Sequence, residues 1–299
     1  MVGVGSMVVD RMHRTATLIG AEGKDFLRPL GGGALVERHV GGVVLNHLGW
    51  AAAIGVRCGI FGRQGDDDEG RFLRAAMDAR GLARDIEVVG DPTSFSEIFV
   101  DDAGERAIYM APGATSATRP SQIRERHSPF IARARLLTTE VSQLPLCAAI
   151  EALRIGRSSG LETWVDLDVP PRVALDSLGS RAELDSVLEA AQLLKPSKQA
   201  AAELVGATSP AGALELARAV RDRCGNEVVV VTAGEHGCAI AARDYEGSIP
   251  AYAVPPVDTT GAGDAFLGGL LAAHTAELDW ASAAAFANAL AAVCTRQLG

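Results

Sequence analysis

The sequence lacks several features that would assign it to common classes of protein. None of its five cysteines forms a C-x-x-C pair, and its six histidines show no zinc spacing. There is no uninterrupted run of about 18 apolar residues and no basic segment at the N-terminus, so neither a membrane span nor a secretory signal is predicted. Scattered cysteines without an export signal are typical of reduced thiols, and we expect a cytoplasmic protein.

Positive charge is also scarce in the sequence. Lys and Arg together number 28 against 37 Asp and Glu, which gives a formal net charge of −9. Proteins that bind nucleic acids cluster cations against the phosphates, so this balance argues against a nucleic acid as partner. The P-loop pattern G-x-x-x-x-G-K-[ST] is absent as well, which excludes that type of nucleotide-binding loop.

What the sequence does contain is an alternation of short apolar runs with amphipathic stretches. Apolar strands separated by helices predict an α/β fold, with a doubly wound, mainly parallel sheet and helices on both faces. The predicted strands are Met1–Val9, Val56–Phe61, Leu136–Val141, Thr163–Asp168, Leu193–Pro196, Val228–Thr232 and Cys238–Ala241. The predicted helices are Gly42–Ile54, Glu69–Arg80, Leu146–Arg157, Glu183–Gln192, Pro210–Arg223, Ala262–Glu277 and Trp280–Arg296.

Two stretches do not fit that alternation. Arg14–Leu30 follows the first predicted strand, while Ser94–Val100 and Arg106–Met110 flank an Asp/Gly turn and are typical of a hairpin. We expect these stretches to form a small β-sheet lid on the main domain. The expected lid segments are approximately 11–30 and 94–111 within a single domain, 1–299. Small layers of this kind often act as lids or dimer surfaces, so we also expect a homodimer through the lid.

The most informative segment is V-D-T-T-G-A-G-D-A-F at residues 257–266. Its glycines precede an apolar helical stretch, and a glycine turn at a helix start exposes unpaired N–H groups at the positive end of the helix dipole. The segment therefore predicts an anion site, with Asp264 beside it in the first helical turn. The plainer interpretation, a tight turn with Asp264 as a capping carboxylate, stays open for this segment taken alone.

Four motifs together resemble the ribokinase-like carbohydrate kinases, also called the phosphofructokinase-B family. D-T-T-G-A-G-D-A-F is similar to the C-terminal signature of that family, and G-G-V-V-L-N at 41–46 is similar to its G-G-x-x-x-N substrate segment. G-R-Q-G-D-D-D-E-G at 62–70 and T-A-G-E-H-G at 232–237 are similar to its G-x-x-G-D-D-x-x-G and T-x-G-x-x-G segments. The motifs occur in family order over essentially the whole chain, and the family fold is a doubly wound domain with a β lid.

The resemblance implies a kinase that uses ATP and Mg²⁺ to phosphorylate a primary hydroxyl of a small sugar or sugar acid. Asp264 matches the general base of the family, and its anion hole is matched by Gly261, Ala262 and Gly263. The residues implied at the sugar are Asp10, Gly41, Gly42, Asn46 and Glu140. The residues implied at the nucleotide are Lys195, Ser197, Thr232, Gly234, Gly237 and Asn288. Asp258 and Thr260 match positions at which some members bind a monovalent cation such as K⁺.

Arg106 of the predicted lid is a further candidate for substrate binding. A guanidinium matches the geometry of carboxylate and phosphate groups, so Arg106 would favour one of these on the substrate. The sugar itself stays open, because specificity depends on lid side chains whose directions a sequence does not give.

Two alternatives also remain open at this point. The Asn-x-x-Glu segment of the family, linked to Mg²⁺ and phosphate, is replaced here by Ser197 and Ala200, and this motivates the alternative of a non-catalytic relative that binds nucleotide or sugar. The other alternative is a nucleoside kinase of the same family. It requires an aromatic clamp on the base, for which Phe95, Phe99 and Tyr109 of the predicted lid are candidates.

Overall fold

The computed structural model describes residues 1–208 and 211–296. The strands in that part of the chain are β1 (Val2–Val4), β2 (Val8–Arg14), β3 (Glu37–Gly41), β4 (Gly59–Gly65), β5 (Ala83–Val89), β6 (Phe95–Val100), β7 (Arg106–Ala111), β8 (Leu136–Val141), β9 (Glu162–Leu167), β10 (Leu193–Pro196), β11 (Val228–Thr232), β12 (Cys238–Ala242) and β13 (Glu246–Ile249). The helices there are α1 (Val43–Ala53), α2 (Asp68–Ala79), α3 (Gly113–Ser116), α4 (Pro120–Gln122), α5 (Ser128–Ile131), α6 (Leu146–Ser158), α7 (Pro171–Ser177), α8 (Arg181–Ala190), α9 (Lys198–Val205), α10 (Ala213–Cys224), α11 (Ala262–Thr275) and α12 (Trp280–Cys294).

The larger of two sheets has the strand order β13-β12-β11-β10-β9-β8-β1-β4-β5. The strands from β11 to β5 run parallel, whereas β12 and β13 are antiparallel to their neighbours at one edge. Helices α6, α8, α9 and α10 cover one face, and α1, α2, α11 and α12 cover the other. The predicted doubly wound, mainly parallel sheet is therefore confirmed.

The valine run of β11 shows why the central strands of this sheet are apolar at successive positions. Val229 and Val231 pack into the core on one face, and Val228 and Val230 pack into the core on the other. Successive side chains of a strand point to opposite faces, so a strand with helices on both sides is apolar at every position. The first polar side chain of β11 is Thr232 at its carboxyl end. Polar groups therefore collect at the carboxyl edge of the sheet.

The prediction of one strand over Met1–Val9 is wrong, because the chain changes sheets within it. β1 ends at Val4 in the large sheet, and β2 begins at Val8 in the small one. Between them, the Ser6 amide donates to Glu140 Oε1 at 2.8 Å and the Ser6 hydroxyl to Oε2 at 2.7 Å. The buried Glu140 carboxylate thus accepts the hydrogen bonds that a neighbouring strand would otherwise accept, at the point where the chain passes from the large sheet to the small one.

The small sheet has the order β3-β2-β6-β7, in which β2 and β6 are parallel and the other pairs are antiparallel. The predicted hairpin is present as β6 and β7. The prediction that Arg14–Leu30 forms part of this sheet is wrong. Arg14 is the last residue of β2 and forms one isolated bridge with Arg28. The fourth strand of the small sheet is β3 instead. Ile19 and Phe26 of the Arg14–Leu30 segment are exposed.

The predicted helices all have counterparts whose ends differ by a few residues. The helix predicted over Pro210–Arg223 is observed as α10, and its predicted first residue, Pro210, lies outside the described residues. Across the two described ranges, no helix combines the length and the apolar character that a membrane span requires.

Candidate active site

The turn before α11 is the centre of the candidate site. Gly261 has φ +73°, a left-handed conformation that favours glycine, and α11 begins at the next residue. The Ala262 amide donates to Thr259 O at 3.3 Å within the turn. The amides of Gly263 and Asp264 lie in the first helical turn, where no helical carbonyl lies four residues back. These two amides therefore form a candidate anion-binding position at the positive end of the helix.

Asp264 is held beside these amides by a side chain from another helix. Asn46 of α1 donates from Nδ2 to Asp264 Oδ2 at 2.8 Å. Burial and the nearby negative charge of Asp168 raise the pKa of Asp264 well above its usual value. A carboxylate with a raised pKa, fixed in orientation by an amide donor, is well suited to accept a proton.

A buried ion pair lies beneath the turn. Lys195 at the end of β10 donates to both oxygens of Asp166 on β9, at 3.0 and 2.9 Å. Burial alone would lower the pKa of Lys195, but the Asp166 carboxylate raises it, and the ammonium stays charged. A β-carbon added at Gly263 would lie 3.3 Å from Lys195 Nζ, so this positive charge lies directly against the anion-binding turn.

The sequence interpretation missed Asp166 and Asp168. Asp168 follows β9, is exposed, and accepts from the Ser142 hydroxyl at 3.1 Å. Its negative charge raises the pKa of both Asp264 and Asp166. The available signal was the position of Asp168 at the carboxyl end of a predicted strand, where ligands of α/β sheets bind.

A cavity of about 540 Å³ lies between the small sheet, α1, α2 and the turn before α11. Asp10, Asn46, Arg106 and Gly261, four residues predicted to form the site, line it together. Burial raises the pKa of Asp10 to about 6, despite a hydrogen bond from Ser96 that opposes this rise. The structure thus brings the predicted sugar contacts Asp10 and Asn46 to the same cavity as the anion-binding turn.

The glycines of the G-G motif allow close approaches at the entrance to α1. A β-carbon at Gly41 would lie 2.1 Å from Asp10 Oδ2, so only glycine leaves room for that carboxylate. Gly42 has φ +100° and would place a β-carbon 2.5 Å from the Ser6 carbonyl oxygen. Both glycines therefore shape the site through the backbone.

Glu140 is not brought to the cavity, contrary to its predicted place at the sugar. The side chain is fully buried, and its oxygens accept from Ser6 and from the Gln143 amide. Burial raises the pKa of Glu140 to about 7. Its role in the structure is to fix the crossover between the two sheets.

Apart from Lys195, which pairs with Asp166, the residues predicted at the nucleotide divide into two groups. Ser197 and Thr232 form a parallel bridge at the carboxyl edge of the sheet, and the turn at Gly234 beside them is exposed. The Ser197 hydroxyl accepts from the Ala200 amide at 3.1 Å and so caps α9. Gly237 and Asn288 instead pack against the segment that follows β13.

Gly237 and Asn288 both hold the segment after β13. A β-carbon at Gly237 would lie 2.1 Å from the Ile249 carbonyl oxygen. Asn288 Nδ2 donates to the carbonyl oxygens of Ile249 at 3.2 Å and Pro250 at 3.1 Å. These contacts fix the loop that leads toward the anion-binding turn.

The predicted aromatic clamp does not face the cavity. β6 pairs with β2 so that Met12 lies beside Ile98, and these two residues line the cavity. Phe95 and Phe99 alternate with Ile98 and therefore lie on the opposite face, where Phe99 contacts Tyr109 edge-on. The arrangement gives no support to a nucleoside base held by these three rings.

The geometry agrees with comparisons to known proteins. The model for the pfkB family carbohydrate kinases matches residues 5–299. The chain belongs to the pfkB family of carbohydrate kinases. The recognised resemblance is thereby confirmed, and the protein is a sugar kinase.

Curated relatives of this kinase include a fructokinase from Vibrio alginolyticus, 28% identical over 272 residues, which are 87% of this chain and 86% of the relative. A bifunctional ribokinase/ribose-5-phosphate isomerase A from Fructilactobacillus sanfranciscensis is 27% identical over 238 residues, 78% of this chain and 42% of that relative. Among solved structures, that of Arabidopsis thaliana ribokinase complexed with ribose and ATP is similar to this chain, with a TM-score of 0.83 at 20% identity. The match covers 100% of this chain and 93% of the ribokinase chain. That likeness confirms the ribokinase-like fold.

Within the described part of the pfkB kinase, no group of three or more His, Cys, Asp or Glu side chains is arranged to hold a metal ion. Ser197 and Ala200, which replace the polar pair of the family, serve as a helix cap and as a buried core residue. The residues present therefore do not form a metal site built by the protein alone.

Proposed function

We propose that this pfkB kinase transfers the γ-phosphoryl group of ATP to a primary hydroxyl of a small sugar or sugar acid, with Asp264 as general base. The observation that supports this most is the juxtaposition at the start of α11. There, a carboxylate with a raised pKa lies beside backbone amides at the positive end of a helix. Its hydrogen-bond partner Asn46 lines the cavity under the small sheet, where a sugar has room to bind.

In the proposed reaction, the hydroxyl oxygen attacks the γ-phosphorus, and the bond from that phosphorus to the β-phosphate oxygen breaks to release ADP. The proton of the hydroxyl passes to Asp264, which Asn46 holds in place. Phosphoryl transfer depends mainly on positioning and on stabilisation of negative charge. The amides of Gly263 and Asp264 and the buried Lys195 ammonium supply positive charge on one side of the transferred group.

The sugar is proposed to bind between Asp10 and Asn46. Because the pKa of Asp10 is raised only to about 6, most of this carboxylate is ionised at neutral pH and accepts hydrogen bonds from sugar hydroxyls. Met12 and Ile98 of the small sheet line the cavity above it. These apolar side chains exclude water from the hydroxyl that reacts, which limits transfer of phosphoryl groups to water.

ATP is proposed to lie along the carboxyl edge of the sheet, from the anion-binding turn toward Thr232 and Gly234. Magnesium would arrive on the nucleotide as MgATP, since Mg²⁺ usually binds substrate phosphates and water together with one or two carboxylates. This requires no metal site built by the protein, in agreement with the side chains found at Ser197 and Ala200. Cytoplasmic location and a homodimer through the small sheet stay predictions.

The decisive experiment measures ADP release with a panel of sugars and sugar acids for the wild type and for Asp264→Asn. We expect kcat to fall by about 10²- to 10⁴-fold, the usual contribution of a general base. Asp222→Asn, which changes an exposed aspartate on α10, is the matched control and should keep wild-type turnover. An Asp264→Asn variant with most of its turnover would show that Asp264 is not the base.

The two alternatives are separated by the same assay and by calorimetry. A non-catalytic relative would bind ATP or sugar in the calorimeter without Mg²⁺-dependent release of ADP. A nucleoside kinase would phosphorylate inosine or adenosine while the sugars stay inert. We expect turnover with a sugar or sugar acid, because the aromatic rings of the lid face away from the cavity.

A further inference from the structure

Arg106 connects the small sheet to the turn before α11. It lies on β7, and its Nη1 donates to the Thr260 hydroxyl at 2.8 Å and lies 3.3 Å from Asp258 Oδ1. In the sequence interpretation Arg106 was a contact to the substrate, and Asp258 and Thr260 were a cation site. The structure instead joins all three residues across the mouth of the cavity.

Asp258 organises the turn that Arg106 reaches. Its Oδ1 accepts from the Thr260 amide at 2.9 Å and from the Thr260 hydroxyl at 2.7 Å. The amides of Val257 and Asp258 donate to the Thr295 carbonyl oxygen at the end of α12, at 2.7 and 3.2 Å. Gly261 follows directly, so the direction of the anion-binding amides depends on how Asp258 is held.

We infer that Arg106 is a positioning residue, whose guanidinium neutralises Asp258 and fixes the anion-binding turn when the small sheet lies over the cavity. This inference rests on the proposed kinase function. A bound monovalent cation does not fit the observed contacts, because Asp258 and Thr260 already hold the positively charged guanidinium. The kinase therefore works without K⁺, and Arg106 takes the place of a cation at this turn.

The test compares Arg106→Gln with Arg28→Gln, a matched control. Arg28 is also a partly exposed arginine near the small sheet, and its ion pair is with Asp102 of the hairpin turn. Hydrogen–deuterium exchange of the 257–266 segment reports the turn independently of activity. We expect faster exchange in this segment for Arg106→Gln and wild-type exchange for Arg28→Gln.

Kinetics give the second measurement. For Arg106→Gln we expect kcat to fall by about 10- to 100-fold with every accepted sugar, because misplaced catalytic groups of this kind cost up to about 100-fold. The loss should not add to that of Asp258→Asn in the double variant, because each change breaks the same contact. Wild-type turnover should be equal in Na⁺, K⁺ and a bulky organic cation at constant ionic strength, which holds charge screening constant.

The inference would be overturned by a wild type that requires K⁺, by an Arg106→Gln variant that matches Arg28→Gln in both exchange and kcat, or by fully additive losses in the double variant. A rise in KM for acidic sugars alone, with unchanged exchange, would assign Arg106 to the substrate instead and would also overturn it. Absence of turnover in the wild type would count against the kinase proposal, while the exchange experiment would still decide the role of Arg106.

Discussion

At the scale of single residues, the site depends on charges that the sequence places far apart. Asp264 is buried with Asn46 as its donor, and its pKa is raised by burial and by Asp168. The motif identified Asp264 and Asn46 because both belong to recognisable segments. Asp166 and Asp168 belong to none of the quoted motifs, and their importance follows only from the parallel pairing of β8, β9 and β10.

Replacement of Asp168 tests the electrostatics of Asp264, the proposed base. Asp168→Asn removes a negative charge that raises the pKa of Asp264, so the pKa of Asp264 should fall. Because the base acts in its deprotonated form, the acid limb of the profile of kcat/KM against pH should move to lower pH. Profiles for the wild type and for Asp168→Asn measure this shift, and Asp222→Asn is the control. An acid limb that stays in place or moves to higher pH would contradict the assignment.

At the scale of elements, the seven predicted helices and the central strands follow directly from their patterns. Leu136–Val141, Leu193–Pro196 and Val228–Thr232 are observed with the predicted ends. β5 and β3 were not predicted, since charged residues interrupt both: A-R-D-I-E-V-V and E-R-H-V-G. Each is an edge strand with little apolar periodicity. Its extended conformation depends on pairing with the neighbouring strand of the sheet.

The contact between α1 and α11 fixes Asn46 against Asp264, and Gly268 makes it possible. A β-carbon at Gly268 would lie 2.6 Å from both the His47 carbonyl oxygen and Trp50 Cβ. Gly268→Ala should therefore lower the free energy of unfolding by about 1–3 kcal/mol, as overpacked cores do. Chemical denaturation measures the change, and kcat should fall with it as the two helices separate.

Gly49→Ala is the matched control for this prediction, because Gly49 also lies in α1. A β-carbon there would be 3.6 Å from Arg80 Cδ, an ordinary contact. The substitution should be neutral or stabilise the helix by up to about 1 kcal/mol, since alanine is a better helix former than glycine. Equal stability of the two variants would show that close packing at Gly268 does not limit the helix contact.

At the scale of the whole molecule, Glu140 ties the large sheet to the small one. Its carboxylate holds Ser6 in the crossover from β1 to β2, and the Ser6 hydroxyl accepts from the Val43 amide at the start of α1 at 2.8 Å. One buried group thus sets the position of the small sheet relative to the proposed sugar and anion sites. The family resemblance implied that Glu140 contacts the sugar, because a sequence does not show which way a side chain points.

Glu140 also makes the stability of the protein depend on pH. Burial raises its pKa from 4.5 to about 7, so the folded protein retains a proton that the unfolded chain loses at lower pH. The contribution of this group to stability is therefore present below the unfolded value and is lost as the pH rises through 7. Relative to Glu140→Gln, the wild type should lose up to about 3 kcal/mol of unfolding free energy over that range.

Denaturation at a series of pH values for both proteins measures this difference. Glu215→Gln, which changes an exposed glutamate on α10, is the control and should follow the pH dependence of the wild type. A constant difference between wild type and Glu140→Gln would mean that Glu140 does not titrate in this range.

The sequence by itself determined the doubly wound sheet and the β6–β7 hairpin, and it singled out the turn at Gly261–Gly263 as the candidate anion site and Asp264 as the candidate base. These features follow from apolar periodicity and from short contiguous motifs, which local chemistry specifies. Only the tertiary structure decided that Lys195 pairs with Asp166, that Glu140 fixes a crossover, and that Arg106 reaches Asp258. Those contacts join residues far apart in the chain, and they depend on which strands are neighbours and which face each side chain takes.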